Sequence, residues 1–116
     1  MIIAIDFDGT IVEHAFPEIG NPIPRAIEAI QMLKMKKHKL ILWTCRNSRE
    51  QLIPVLKYCK KNGLKFDAIN YNVKDAGFNP LPKIYYDLLI DDHAFPLMKS
   101  EDKWLEIIKA IEIGTL

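Results

Sequence analysis

Met1-Ile2-Ile3-Ala4-Ile5-Asp6-Phe7-Asp8-Gly9-Thr10-Ile11-Val12 opens the chain and decides how the rest is read. A short apolar run is followed by two aspartates two residues apart and then by Gly-Thr. The run has the length of one buried β-strand. Burying an unpaired carboxylate costs several kcal/mol or more, so Asp6 and Asp8 belong at the carboxyl end of that strand. Sites in open α/β sheets form at that edge. In an extended chain, residues i and i+2 face the same side, so continued strand geometry points both carboxylates into one crevice. Gly9 allows a sharp turn directly afterwards. A strand end followed by a plain Asp-Gly turn is the competing reading. A calcium loop of the EF-hand kind needs more acidic ligands over a longer loop and a flanking helix, and neither is present.

Further along, apolar strands alternate with helical patterns. Residues 9–22 hold Gly9, Pro17, Gly20, Asn21 and Pro22 and read as a loop or short hairpin, with His14 as a solvent-facing loop residue. Pro24 suits the first turn of a helix that runs to about residue 36. Lys39 to Thr44 reads as a second strand covered on both faces. Ser48-Arg49-Glu50-Gln51 has the form of a capping box and starts a helix ending near Lys61 and Gly63, with Pro54 expected to kink it. Residues 66–70 form a short third strand, and 71–82 a long irregular connection. Residues 84–90 form a fourth strand that ends at Asp91-Asp92. An amphipathic helix covers 102–113, with Ser100 as N-cap and Glu101 and Asp102 in its first turn. Residues 94–97 are either a stub of a fifth strand or loop. Strand-helix alternation implies right-handed crossovers and a parallel sheet in one domain, residues 1–116.

Composition narrows the function classes. The chain has 116 residues, about half of them apolar, and a formal net charge of +1. Such a balance predicts no general affinity for nucleic acid. The run Lys34-Met35-Lys36-Lys37-His38-Lys39 reads as a solvated helix end. Cys45 and Cys59 form no disulfide framework and no metal-binding spacing. Asp6 breaks the N-terminal apolar run too early for a signal peptide, and no segment is long enough to span a membrane. The expectation is a cytoplasmic protein with free thiols.

Three strands end in polar residues: Asp6 and Asp8, Thr44, and Asp91 with Asp92. A parallel sheet puts these ends at one edge, and a lysine, Lys83, stands just before the last strand. Phosphoryl transfer would use such a set. A carboxylate can act as nucleophile, other carboxylates can hold Mg²⁺, and a hydroxyl and an ammonium can bind phosphate oxygens. A second carboxylate can protonate the leaving oxygen and then activate water.

In order and type, Asp6-Phe7-Asp8-Gly9-Thr10, Thr44, Lys83 and Asp91-Asp92 resemble the four motifs of the haloacid dehalogenase superfamily, over nearly the whole chain. The resemblance implies a three-layer Rossmann-like domain with a central parallel sheet in the order 4-1-2-3 and no cap domain. It implies Asp6 as nucleophile, Asp8 as general acid/base, Thr44 as the phosphate-binding hydroxyl and Lys83 as the lysine that stabilises the phospho-intermediate. It also implies Mg²⁺ held by Asp6, the Asp8 carbonyl and Asp91, with Asp92 as a further acidic residue. An Asp at position 8 favours a phosphatase or phosphomutase within the superfamily. Lys74 competes with Lys83, which is preferred because it directly precedes the final strand. Two readings stand for Arg46, a contact to substrate phosphate or a solvated loop arginine. His93 reads as loop structure, since imidazole is not a preferred Mg²⁺ ligand. Trp43 and Trp104 read as core, and Asp67 and Asp87 as strand-entry residues. The expected activity is a Mg²⁺-dependent phosphomonoester hydrolase. Its substrate would be a phosphorylated small molecule or a tethered phosphate ester. The open site leaves room for a homo-oligomer in which a neighbouring subunit serves as lid. A phosphotransferase on the same site and a non-catalytic metal- or phosphate-binding module are the alternatives.

Overall fold

In the computed structural model the described residues are 1–74, 84–94 and 102–114. The elements in chain order are β1 (Ile2–Ile5), α1 (Ala26–Met35), β2 (Lys39–Leu42), α2 (Arg49–Lys61), β3 (Ala68–Ile69), β4 (Leu88–Ile90) and α3 (Lys103–Glu112). The strands form a parallel sheet in the order β3-β2-β1-β4, which is the expected order. The extended segments are shorter than the apolar runs suggest: β2 ends at Leu42 rather than Thr44, and β4 begins at Leu88 rather than at residue 84.

The period of two along β1 sorts its side chains between two cores. Ile3, Ile5 and Phe7 join Leu40, Leu42 and Ile90 against α1, α2 and α3, where Ile30, Leu33, Val55, Cys59, Trp104 and Ile108 are buried. Ala4 and Ile41 face the other way, against Val73 and Ile84 from the connection between β3 and β4. The sheet is thus the middle layer of a small three-layer α/β domain, which is why its strands are apolar on both faces. Among the described residues no helix is long and apolar enough to cross a membrane.

Register fixes the functional edge. Ile5 lies opposite Leu42 on one side and Ile90 on the other. The ladder continues one step, with the Asp6 amide donating to the Ile90 carbonyl and the Trp43 amide to the Ile5 carbonyl, each at 2.9 Å. Asp6, Thr44 and Asp91 therefore emerge at one edge. The opposite edge is held by the two expected strand-entry aspartates. The Asp67 carboxylate accepts from the Leu40 amide at 2.8 Å and from Lys34 Nζ at 2.6 Å. The Asp87 carboxylate accepts from the Ile2 amide at 2.7 Å.

Other expectations are resolved locally. Ser48 caps α2, its hydroxyl accepting from the Gln51 amide at 3.3 Å. This arrangement contributes about 1 kcal/mol in typical proteins. The helix runs on through Pro54, in its second turn. Residues 11–13 pair antiparallel with 21–23, through Glu13 N to Asn21 O at 2.8 Å and Ile23 N to Ile11 O at 2.9 Å. The expected hairpin is thus present as a flap whose tip carries His14, Phe16 and a cis peptide bond before Pro17. No further domain is inserted in this connection. Lys83, Ser100, Glu101 and residues 95–97 lie outside the described residues.

Candidate active site

The chain stops being a strand at Phe7. The Phe7 carbonyl accepts from the amides of Thr10, Ile11 and Val12, and Gly9 takes φ +90° to make the turn. Strand alternation therefore governs Asp6 but not Asp8. The two carboxylates, expected to share one crevice, have separate partners.

Asp6 is the centre of an acidic cluster. Carboxylate oxygens of Asp6, Asp91 and Asp92 lie within 4.8 Å of one another. Thr10 ties the cluster together. Its hydroxyl donates to Asp6 Oδ2 at 3.0 Å and accepts from the Asp92 amide at 3.0 Å. Burial, then the charge of Asp91 and the contact with Asp92, push the Asp6 carboxyl up to about 7, against the opposing pull of the Thr10 hydroxyl. Asp92 moves the other way. Burial alone would raise it, but the contacts with His14 and with the Asp6 proton, and the nearby His93, hold it below the usual carboxylate range. Without a cation, the Asp6 proton is what reconciles these crowded charges.

Mg²⁺ fits this donor set. The ion takes oxygen ligands and is commonly bound through a few carboxylates with retained waters. Asp92 Oδ1 is buried and, among the described residues, makes no hydrogen bond when the neighbouring carboxylates are ionised. Such an orphaned acceptor beside Asp6 is the kind of oxygen that a cation satisfies. Asp6, Asp91 and Asp92 would hold it.

Asp8 is committed to Arg46. The guanidinium meets it side-on, Nε to Oδ2 and Nη2 to Oδ1, both at 2.8 Å. The remaining N–H groups donate to the carbonyls of Pro17 at 3.1 Å, Gln51 at 3.3 Å and Glu18 at 2.8 Å. The guanidinium lies 5.7 Å from the Phe7 ring centre and 5.0 Å from that of Phe16, so it is flanked by two aromatic rings. Arg46 is 2% exposed. The Asp8 hydrogen bonds hold its guanidinium above the ordinary arginine value, against the effect of burial. Neither expectation for Arg46 describes this arrangement. It is not solvated, and every N–H already has a protein acceptor, so no donor remains for a phosphate. It clamps Asp8, the flap and the start of α2 into one unit.

Thr44 is half-buried at the end of β2, and its hydroxyl oxygen accepts from the Arg46 amide at 3.1 Å. Among the described residues no acceptor takes the hydroxyl proton, which leaves it for a ligand. Asn70, at φ +53°, accepts from the Thr44 amide at 2.8 Å and shapes this loop from the end of β3. Lys74 is exposed. The preferred Lys83 lies outside the described residues.

Sequence reading missed four residues around this edge. Thr10 is the hydroxyl linking the first and last motifs. His14 Nε2 sits 2.9 Å from Asp92 Oδ2. Lys103 Nζ donates to the Gly9 carbonyl at 3.0 Å, and Trp104 Nε1 donates to the Thr10 carbonyl at 2.8 Å. Only Thr10 carried a local signal, its place directly after Asp-Phe-Asp-Gly. The others arrive from 78 and 94 residues away and leave no pattern in the chain.

No family model and no curated protein matches the chain. A solved structure of a conserved protein from Bacteroides thetaiotaomicron does. It is similar over 98% of this chain and 91% of its own, with 38% sequence identity and a TM-score of 0.86.

Proposed function

The chain belongs to one family with the conserved Bacteroides thetaiotaomicron protein, and we propose for it a Mg²⁺-dependent phosphomonoester hydrolase of the haloacid dehalogenase type. The observation that carries this reading is Asp6: a carboxylate at the end of a central strand, held by Thr10 and crowded by Asp91 and Asp92. Bound at these oxygens, Mg²⁺ would neutralise charge on the three carboxylates and on the substrate phosphate.

An Asp6 oxygen attacks the phosphorus of the ester, the bond to the leaving oxygen breaks, and a phospho-aspartate forms. The Thr44 hydroxyl donates to one phosphate oxygen, and Lys83 supplies an ammonium for another. Asp8 gives the leaving oxygen its proton and then takes one from the water that hydrolyses the acyl phosphate. Inorganic phosphate leaves and Asp6 is regenerated. For either proton transfer Asp8 has to part from at least one of its two Arg46 hydrogen bonds. Substrates that press on the flap at Phe16 and Pro17 are suited to this. The open edge favours a small phosphorylated molecule or the phosphorylated end of a larger one.

A second reading, a metal-binding module without turnover, is favoured by one observation: the complete engagement of Asp8 and Arg46 with each other and with backbone carbonyls. Release of inorganic phosphate from a panel of phosphate esters, with and without Mg²⁺, separates the two. The expected result is Mg²⁺-dependent release that falls at least about a thousandfold in Asp6→Asn. Full activity in that variant would sink the mechanism. Cation binding with no release from any ester would establish the second reading.

A further inference from the structure

Two imidazoles stand beside the acidic cluster and have no part in the reaction above. His14, at the flap tip, places Nε2 2.9 Å from Asp92 Oδ2. His93, directly after β4 and its two aspartates, places Nε2 3.5 Å from the same oxygen. The donor atoms of His14, Asp92 and His93 all lie within 4.8 Å of one another, and both rings are exposed. The loop beneath leaves no spare room. A Cβ on Gly9 would stand 2.3 Å from His14 Nε2 and 2.4 Å from Asp92 Oδ2. The pair therefore sits on a backbone that only glycine keeps bare.

We propose that His14, Asp92 and His93 bind a second divalent cation, of the zinc class, next to the acidic site and sharing Asp92 with it. Donors about 2.0–2.1 Å from a tetrahedral zinc are separated from each other by about 3.4 Å. The observed 2.9 and 3.5 Å separations bracket that value. Two imidazoles and one carboxylate select zinc or another late first-row ion, since Mg²⁺ and Ca²⁺ prefer oxygen ligands. The two Asp92 oxygens divide the work. Oδ2 faces both histidines, and Oδ1 is the buried orphan of the acidic cluster. A carboxylate in that position bridges two cations. Three protein ligands leave a coordination position open at the exposed face, as in zinc sites that exchange a water or a substrate oxygen. The cation would also fasten the flap, through His14, to the end of β4. The proposal rests on the hydrolase reading only for the sharing of Asp92; the three donors stand without it.

The test is calorimetric titration of the metal-free 116-residue chain with Zn²⁺ in excess Mg²⁺, repeated with Co²⁺ to record the visible absorption of a nitrogen-ligated ion. His14→Ala and His93→Ala are compared with the unaltered chain, and circular dichroism verifies their fold. The expected result is one Zn²⁺ site that survives the Mg²⁺ excess. Loss of even a supporting residue of a metal site weakens binding about 10–100-fold, so loss of either imidazole should weaken it at least about tenfold. The Co²⁺ absorption should fade in both variants. Absence of Zn²⁺ binding, or affinity unchanged in either variant, overturns the proposal. Asp6→Asn keeps the two failures apart: it removes the proposed nucleophile and leaves both histidines in place.

Discussion

Arg46 shows how much one side chain can organise. A buried arginine is tolerated only when its charge is paired and its donors are filled, and here Asp8 and three carbonyls do both. Removing it leaves Asp8 without its counter-ion and frees the flap. Arg46→Ala should therefore cost about 3 kcal/mol or more, read as a drop in the urea midpoint with little change in slope. Arg46→Lys should recover little of this, because an ammonium cannot reproduce the two-point fork on Asp8. A near-neutral result for Arg46→Ala would mean that the clamp contributes nothing to the fold. Thr10 is the second residue of this kind, since its one hydroxyl fixes both the Asp6 side chain and the backbone after β4.

Helix α3 is the element whose role reaches furthest from its own position. It closes the helical layer against α1 with Trp104, Ile107 and Ile108, and also reaches the first loop through two side chains. Trp104 is fully buried, and its indole N–H satisfies the Thr10 carbonyl, while Lys103 satisfies that of Gly9. A buried carbonyl left without its donor costs about 1–3 kcal/mol. Trp104→Phe keeps most of the ring and removes the donor, so it should lower stability by about that amount. It should also reduce the phosphate release proposed above by loosening the turn that holds Asp6 and Thr10. Thermal melts and kinetics on the same sample check both effects. Normal melting together with normal turnover would show that the turn is held without α3.

At the scale of the molecule, the core on the helical side of the sheet encloses a thiol. Burial pushes Cys59 from 9.0 up to about 11. In the unfolded chain the same thiol ionises near its ordinary value, so between about 9 and 11 the folded state binds more protons than the unfolded state. Stability must then fall as pH rises through that window, and Cys59→Ala or Cys59→Ser should remove this part of the alkaline slope. Urea unfolding at a series of pH values measures it; an unchanged slope in the variants would refute it. Asp67 acts at the other end of the scale. Burial would raise its carboxyl, but the Lys34 contact and the Leu40 amide hold it below the ordinary value, so its contribution is present above the unfolded value and is lost on acidification.

Much of this protein is legible in the order of its residues. Apolar runs interrupted by Asp, Thr and Asp-Asp fix the strands and their functional ends, because desolvation forbids those side chains inside a sheet. The alternation of strand and helix fixes parallel pairing, and the Ser48 cap and the flap follow from local chemistry. These are properties of neighbouring residues, and the sequence by itself determined them. The Asp8–Arg46 clamp, the His14–Asp92–His93 cluster and the Lys103–Trp104 grip on the first loop join residues 38 to 94 positions apart. Periodicity has no reach over such distances. Only tertiary structure decided that Asp6 and Asp8, two residues apart, serve different partners, because the strand stops at Phe7, between them, and the turn that Gly9 completes frees Asp8 from its alternation.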